Sequence, residues 1–113
     1  KYDLSQISFL NTPEIIIMMG YPGSGKTTIA GEICNDSKYI HIKGDDYKSN
    51  TPKMLKAALI HIQDNKSIVF DATNSSIKKR KLYIDFAMKH KYNILFLIIY
   101  SSSMFTLILR NVF

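Results

Sequence analysis

The amino-acid sequence predicts an α/β protein in which a mostly parallel sheet lies between two layers of helices. Short apolar runs typical of buried strands alternate with helical patterns, as in parallel βαβ units with right-handed crossovers. A glycine-rich segment also follows the first apolar run directly and precedes a predicted helix. We therefore predict a three-layer α/β/α sandwich over residues 14–113, truncated at its C-terminus, with residues 1–13 as a tail or inter-domain connection.

Four strands are predicted from apolar runs that are too short to be helices. Their ranges are 14–19, 39–42, 67–70 and 93–100. The first run is apolar at every position after Glu14, as expected of a strand that is buried on both faces of a parallel sheet. It is therefore predicted to lie inside the sheet.

Helices are predicted between these strands. Their ranges are 26–34, 51–63 and 76–89, with Ser75 or Ser76 as the cap of the third, and a last helix opened by Ser102 or Ser103. Thr51 is predicted to cap the second helix, with Pro52 in its first turn. The predicted buried positions on the second helix are Leu55, Ala58, Leu59 and Ile62, and those on the third are Leu82, Phe86 and Ala87.

The composition describes a globular chain with a positive charge. The formal net charge of +6 suits a nucleic-acid partner, but it also arises from a lysine-rich composition alone. Cys34 is the single cysteine, which excludes an internal disulfide and a cysteine-based zinc site. His41, His61 and His90 show no metal-ligand spacing, and no role is assigned to them.

An uncharged stretch at residues 94–109 approaches the length of a membrane-spanning helix. Three serines at positions 101–103 interrupt it, so a strand, a turn and a helix explain it better. We expect no membrane contact, and a location in the cytoplasm or nucleus.

A phosphate-binding loop is the most specific feature of the sequence. Its G-x-x-x-x-G-K-T spacing lets successive backbone N–H groups point at phosphates, next to a helix N-terminus. Lys26 is placed to reach the outer phosphates, and the Thr27 hydroxyl to bind Mg²⁺. We favour ATP over GTP because the chain has no guanine-reading Asn-Lys-x-Asp motif. The predicted nucleotide-binding residues are Gly20, Tyr21, Pro22, Gly23, Ser24, Gly25, Lys26, Thr27 and Thr28.

Carboxylates follow two of the predicted strands. Asp45 and Asp46 come after the second strand, and Asp71 ends the third in the manner of a Walker B aspartate. Ligands of open α/β sheets bind beyond the carboxyl ends of the strands, and a kinase needs a carboxylate there to accept a proton. The alternative is that these residues are turn or helix-capping aspartates.

A run of four cations, residues 78–81, lies in the first turns of the third helix. The helix dipole disfavours cations at that end, so the run points to contact with the phosphates of a polyanionic substrate. The alternative is a solvated helix face.

Three motifs together resemble a known family. They are Gly-Tyr-Pro-Gly-Ser-Gly-Lys-Thr-Thr at 20–28, Gly-Asp-Asp-Tyr-Lys at 44–48 and Asp-Ala-Thr-Asn at 71–74. In this order they resemble the kinase domain of the bifunctional polynucleotide phosphatase/kinases, including viral versions. The resemblance implies transfer of the γ-phosphate of ATP to a 5′-hydroxyl end of DNA or RNA, with Mg²⁺, in nucleic-acid repair.

The resemblance also implies roles for individual residues. Asp45 is implied as the general base, and Asp71 as a residue that arranges the acceptor and the metal region. The implied acceptor-side residues are Lys48, Asn74 and Arg80. A phosphatase domain is implied before Lys1, although its Asp-x-Asp-x-Thr motif does not occur in these residues.

The chain departs from the family pattern in three places. Gly44 stands where an arginine is usual, and Lys48, where the family carries an arginine, cannot make arginine's bidentate contact. The arginine-bearing lid would begin at or beyond Arg110, so we expect the segment to bind nucleotide but transfer phosphate poorly. Two other functions remain open: a small-molecule P-loop kinase acting on a sugar or nucleoside, and a non-catalytic nucleotide-binding module.

Overall fold

The computed structural model describes residues 12–21, 23–73, 76–101 and 104–110. Their strands form one sheet with the order β2-β3-β1-β4-β5. The strands are β1 (Glu14–Met19), β2 (Tyr39–Lys43), β3 (Ser67–Asp71), β4 (Asn93–Ser101) and β5 (Met104–Arg110). The helices are α1 (Lys26–Ile33), α2 (Thr51–Gln63) and α3 (Ile77–Lys89), and a 3₁₀ turn (Gly44–Tyr47) follows β2.

The centre of the sheet is strand β1. It pairs in parallel with β3 on one side and with β4 on the other, and β3 pairs in parallel with β2. Ile15, Ile16, Ile17 and Met18 are fully buried, because β1 is covered on both faces. The predicted mostly parallel sheet is confirmed, and its carboxyl ends bring the loops after β1, β2 and β3 to one edge.

Helices cover both faces of the sheet, which confirms the three-layer sandwich. On one face, Ile29, Ala30 and Ile33 of α1 pack with the residues of β1, β3 and β4 that point to that side. On the other face, α2 and α3 pack against the alternate residues of the same strands. No helix in the described part of the chain has the length and apolar character needed to cross a bilayer.

Helix α2 keeps its predicted range, but its cap and its buried face differ from the prediction. Asn50 is the N-cap, and its Oδ1 accepts a hydrogen bond of 3.0 Å from the Lys53 amide. Thr51 becomes the first helical residue and is buried. The buried face runs through Met54 and Ala58, which turns Leu59 toward solvent at 38% exposure.

Helix α3 is capped by Ser76, one of the two predicted positions, through a 3.3 Å bond from the Lys79 amide. Phe86 and Ala87 are buried as predicted, whereas Leu82 is only partly buried. Tyr83 takes the deepest position instead, and its ring lies 4.9 Å from that of Phe70. The phenol therefore fills the space between α3 and the sheet.

The predicted last helix is wrong. Residues 104–110 form β5, which pairs antiparallel with β4, with Arg110 opposite Leu95 and Met104 opposite Ser101. The segment includes phenylalanine, threonine and isoleucine, which favour strands, and pairing satisfies the backbone groups along the edge of β4. Residues 1–11 lie outside the described residues, so the predicted tail stays a prediction.

Candidate active site

The phosphate-binding loop connects the central strand to α1. Gly23 and Gly25 have φ angles of 84° and 93°, a left-handed conformation that suits glycine, and the Ser24 amide donates to the Tyr21 carbonyl at 3.1 Å. Gly25 is the N-cap of α1 and provides no side-chain hydrogen bond to the helix, and the first turn of the helix holds no acidic residue. The helix N-terminus is thus arranged as an anion-binding site.

Asp71 is the buried carboxylate of the site, and it contacts two other side chains. Its Oδ1 lies 3.4 Å from Nζ of Lys26, and its Oδ2 lies 2.9 Å from Nε2 of His41. The Asp71 side chain is only 2% exposed. Three side chains from β2, β3 and the start of α1 therefore form a continuous polar row at the edge of the sheet.

The pKa of Asp71 lies below its ordinary value. Burial alone would raise this pKa, but the hydrogen bond with His41, the Thr27 hydroxyl and the charge of Lys26 together outweigh it. Asp71 is consequently ionised at neutral pH, so its Oδ2 accepts a hydrogen bond that the N–H at Nε2 of His41 donates.

A cavity of about 320 Å³ opens between the phosphate-binding loop and the ends of β2 and β3. It brings together five residues that the sequence predicts as functional: Gly23, Lys26, Thr27, Asp45 and Asp71. Its lining also includes residues to which the sequence assigns no site role. These are Lys43 at the end of β2, Gly44 and Ser49 after it, and Ala72 and Thr73 after β3. A cavity with a phosphate-binding loop on one side and Asp45 on the other can hold a phosphate donor and a hydroxyl acceptor together.

The members of the aspartate pair differ in position. Both are exposed, but only Asp45 is among the residues that line the cavity. Lys48, the predicted acceptor-side lysine, is also outside that lining and has a left-handed backbone with φ of 53°. Asn74 and Pro22 lie outside the described residues. The roles assigned to these residues stay predictions.

The cations at 78–81 do not form one surface, because four consecutive helical residues point in different directions. Lys78 and Lys81 are exposed and lie on one side of α3, while Lys79 and Arg80 differ from them in direction, and Arg80 is partly buried. Arg80 lines a second, mostly apolar cavity of about 360 Å³ next to β1 and β4. The exposed lysines are therefore better placed than Arg80 for contact with a large anion.

The residues present fit a nucleotide with Mg²⁺. Among the described side chains, three buried oxygens lack a hydrogen-bond partner: Oγ1 of Thr51 in α2, Oγ of Ser24 in the phosphate-binding loop and Oδ1 of Asp71 beside that loop. Mg²⁺ takes oxygen ligands and is usually held by one or two protein groups plus the substrate phosphates. The Thr27 hydroxyl and Asp71 supply such oxygens, and Thr27 is exposed to the cavity.

Gly44 explains how the end of β2 approaches the end of β3. A Cβ at this position would lie 2.7 Å from Cβ of Ala72 and 3.3 Å from the Asp71 carbonyl oxygen. Both atoms are fixed by the backbone, so an arginine, or any side chain, cannot occupy this position without moving the turn that carries Asp45.

We expect Gly44→Ala to destabilise the fold by about 1–3 kcal/mol, as overpacking does, and to lower kcat by displacing Asp45. Thermal unfolding and turnover measure the two effects. Gly31→Ala is the matched control, since a Cβ there meets nothing within 4 Å and alanine favours the helix. Equal turnover in the two variants would show that the close approach at Gly44 is not needed.

Comparison with known proteins places the chain among phosphate-binding-loop kinases. The profile of the Zeta toxin family matches residues 3–98. A bifunctional polynucleotide phosphatase/kinase of Schizosaccharomyces pombe is 37% identical over 76 residues, which is 67% of this chain and 18% of the relative. A candidate enzyme of the same description from Acanthamoeba polyphaga mimivirus is 33% identical over 80 residues, or 71% and 19% of the two chains.

A solved structure, that of the Pnkp1/Rnl/Hen1 complex, has a chain with the same fold. It superposes with a TM-score of 0.67 at 19% identity, covering 81% of this chain and 37% of the other. The structure shows the same fold, and the two polynucleotide phosphatase/kinase relatives confirm the resemblance that the motifs predict. The chain spans less than a fifth of the length of the two curated relatives.

Proposed function

The chain belongs to the Zeta toxin family and is a P-loop kinase domain related to polynucleotide kinases, and we propose that it transfers the γ-phosphate of ATP to a 5′-hydroxyl end of DNA or RNA. One observation carries the proposal. Lys26 and Thr27 on the donor side, and Asp45 on the opposite side, line the same cavity. The phosphate donor and the hydroxyl acceptor of a phosphoryl transfer can therefore bind next to each other in this cavity.

Each residue has a separate task in the proposed reaction. The loop amides and Lys26 hold the phosphates of ATP in line with the acceptor. Asp45 accepts the proton of the attacking hydroxyl, which increases its nucleophilicity. Mg²⁺, which Thr27 and Asp71 would hold, supplies positive charge to the β- and γ-phosphates when it is bound.

Three features support a nucleic acid as the acceptor. Two curated relatives at 33% identity or more carry polynucleotide phosphatase/kinase in their descriptions. The Asp-Ala-Thr-Asn motif at 71–74 contributes Ala72 and Thr73 to the cavity wall. Lys78 and Lys81 lie exposed in the first turns of α3, the helix that follows this motif. A sugar or nucleoside would not need these cations.

The test is to incubate the protein with labelled ATP, Mg²⁺ and a panel of acceptors. We expect label on DNA or RNA oligonucleotides with a 5′-hydroxyl, and none on the same oligonucleotides carrying a 5′-phosphate, which cannot accept. Label only on sugars or nucleosides would favour a small-molecule kinase. Binding of ATP without any transfer would favour a non-catalytic nucleotide-binding module.

The exposed lysines allow a sharper test of the acceptor class. We expect Lys78→Gln with Lys81→Gln to weaken oligonucleotide binding and to flatten its salt dependence. The slope of log K against log salt should fall by about 0.7–0.9 for each phosphate that the protein no longer neutralises. ATP affinity should not change. The measurement is a salt titration of oligonucleotide binding.

Lys89→Gln with Lys91→Gln is the matched control for this pair. It removes the same charge from exposed residues at and just after the other end of α3, which do not line the cavity. Similar salt slopes for the two double variants would mean that Lys78 and Lys81 act only through net charge, which contradicts a local phosphate contact.

The proposal extends to the full-length protein. The descriptions of both relatives include a phosphatase, so we propose a phosphatase domain N-terminal to residues 14–113 and a role in nucleic-acid repair. An Asp-x-Asp-x-Thr motif upstream of Lys1 in the complete reading frame would support this organisation, and its absence would contradict it.

A further inference from the structure

His41 lies outside the residues that line the active-site cavity, yet it contacts a carboxylate of the site. Its Nε2 is 2.9 Å from Oδ2 of Asp71, and its side chain is only 14% exposed. The strand pairing explains the contact. Lys43 is opposite Asp71 in the β2–β3 register, so His41, two residues earlier on the same face, is its diagonal neighbour.

This face of the sheet is the one that α1 covers. Tyr39 of β2 and Val69 of β3 pack with the residues of α1 on this side, and His41 and Asp71 follow them by one strand period each. Asp71 consequently lies between His41 on the sheet and Lys26 at the start of α1. The order His41–Asp71–Lys26 is fixed by the fold and not by a flexible loop.

The two contacts of Asp71 differ in what happens to them when ATP binds. Lys26 must reach the outer phosphates, so its 3.4 Å contact with Oδ1 of Asp71 is exchanged for contacts with the nucleotide. His41 bonds to the other carboxylate oxygen and does not line the cavity that would hold the phosphates. Its hydrogen bond can persist throughout the reaction.

We propose that His41 is a positioning residue, which holds Oδ2 of Asp71 so that Oδ1 stays directed at the nucleotide and its Mg²⁺ after Lys26 has moved to the phosphates. Partners of this kind, one step removed from the metal or substrate, orient the group that makes the contact. The inference rests on the proposed phosphoryl transfer but not on a nucleic-acid acceptor.

Two substitutions separate this role from a packing role. Glutamine at position 41 can present an N–H where Nε2 of histidine lies, whereas asparagine carries the same amide one methylene shorter and cannot reach Asp71. We expect His41→Asn to weaken ATP binding in the presence of Mg²⁺ by about 10- to 100-fold. We expect it to lower kcat by a similar factor and to leave the KM of the acceptor nearly unchanged. His41→Gln should stay close to the wild type. ATP affinity in EDTA should be the same in all three proteins.

Calorimetric titration with ATP, in Mg²⁺ and in EDTA, measures the expected loss of ATP affinity and needs no acceptor. A wild type that labels no oligonucleotide would therefore reject the proposed acceptor and leave the test of His41 intact. Equal Mg²⁺-ATP affinity in the wild type and His41→Asn would overturn the positioning role. So would equal losses in the asparagine and glutamine variants, which would show that the imidazole acts through packing.

A measurement on the wild type covers the case in which His41→Asn does not fold. The ¹⁵N resonances of the histidine ring in the nucleotide-free protein should show Nε2 of His41 carrying the proton. An unprotonated Nε2 cannot donate to Asp71, and that result would also overturn the proposal.

Discussion

Replacing Lys26 with alanine is expected to abolish phosphoryl transfer and to weaken ATP binding by about 10- to 100-fold. A hydrogen bond to a charged group is worth about 1.5–3 kcal/mol, and Lys26 is the cation that the loop places against the outer phosphates. The loss in kcat should be larger still, enough to bring transfer below detection, because charge develops on the transferred group in the transition state.

The structure adds a second consequence of this substitution. Asp71 is nearly fully buried, and Lys26 is the contact of its Oδ1. Without the lysine, the pKa of Asp71 loses one of the influences that lower it, while burial continues to raise it.

Calorimetry with ATP measures the loss of ATP affinity in Lys26→Ala, and turnover on the acceptor identified in the panel measures the loss of transfer. Lys38→Ala, which removes an exposed lysine of a surface ion pair, is the control. Unchanged ATP affinity in Lys26→Ala would refute a nucleotide site at this loop.

Replacing Asp45 with asparagine is expected to lower kcat by about 10²- to 10⁴-fold while ATP affinity stays the same. Asparagine keeps the size of the side chain but cannot accept the proton of the attacking hydroxyl. Asp45 lines the cavity opposite the phosphate-binding loop, so its loss should affect the chemical step and not the binding of the nucleotide.

The neighbouring residue provides the control for this prediction. Asp46→Asn removes the same charge one position away, from an exposed residue outside the cavity lining. We expect it to retain most of the activity. A large loss in Asp46→Asn with none in Asp45→Asn would mean that the other aspartate of the pair is the base, and no loss in either would reject the site at the end of β2.

The nucleotide side of the site was predictable from the sequence because its signals are local. The run that forms β1, the glycines and Lys26 are close together in the chain, and each has a backbone or charge requirement that few other residues meet. The range Glu14–Met19 was predicted to the residue. The convergence of Asp45 and Asp71 was predictable because the parallel sheet brings the carboxyl ends of its strands together.

The remaining features depend on packing between distant segments. The contact of His41 with Asp71 follows from the β2–β3 register, which periodicity within one strand does not reveal. Tyr83 and Leu82 are adjacent in α3, and a small rotation of the helix decides which of them is buried. The uncharged residues after Ser103 form a short apolar run, and the periodicity of such a run does not separate a buried helix from a strand. Antiparallel pairing with the edge of β4 stabilises the strand in this segment.

The order β2-β3-β1-β4-β5 bears on how such a domain can diverge. The residues predicted to bind the triphosphate lie in the loop after β1, the innermost strand, and at the start of the helix that follows it. Asp45 follows β2, the strand at one border of the sheet, and its neighbours in the turn are mostly exposed. Apart from Gly44, substitutions at this border disturb few buried contacts, whereas those near β1 alter the core itself. Selection can thus retune the acceptor of a kinase of this architecture while its use of ATP is inherited unchanged.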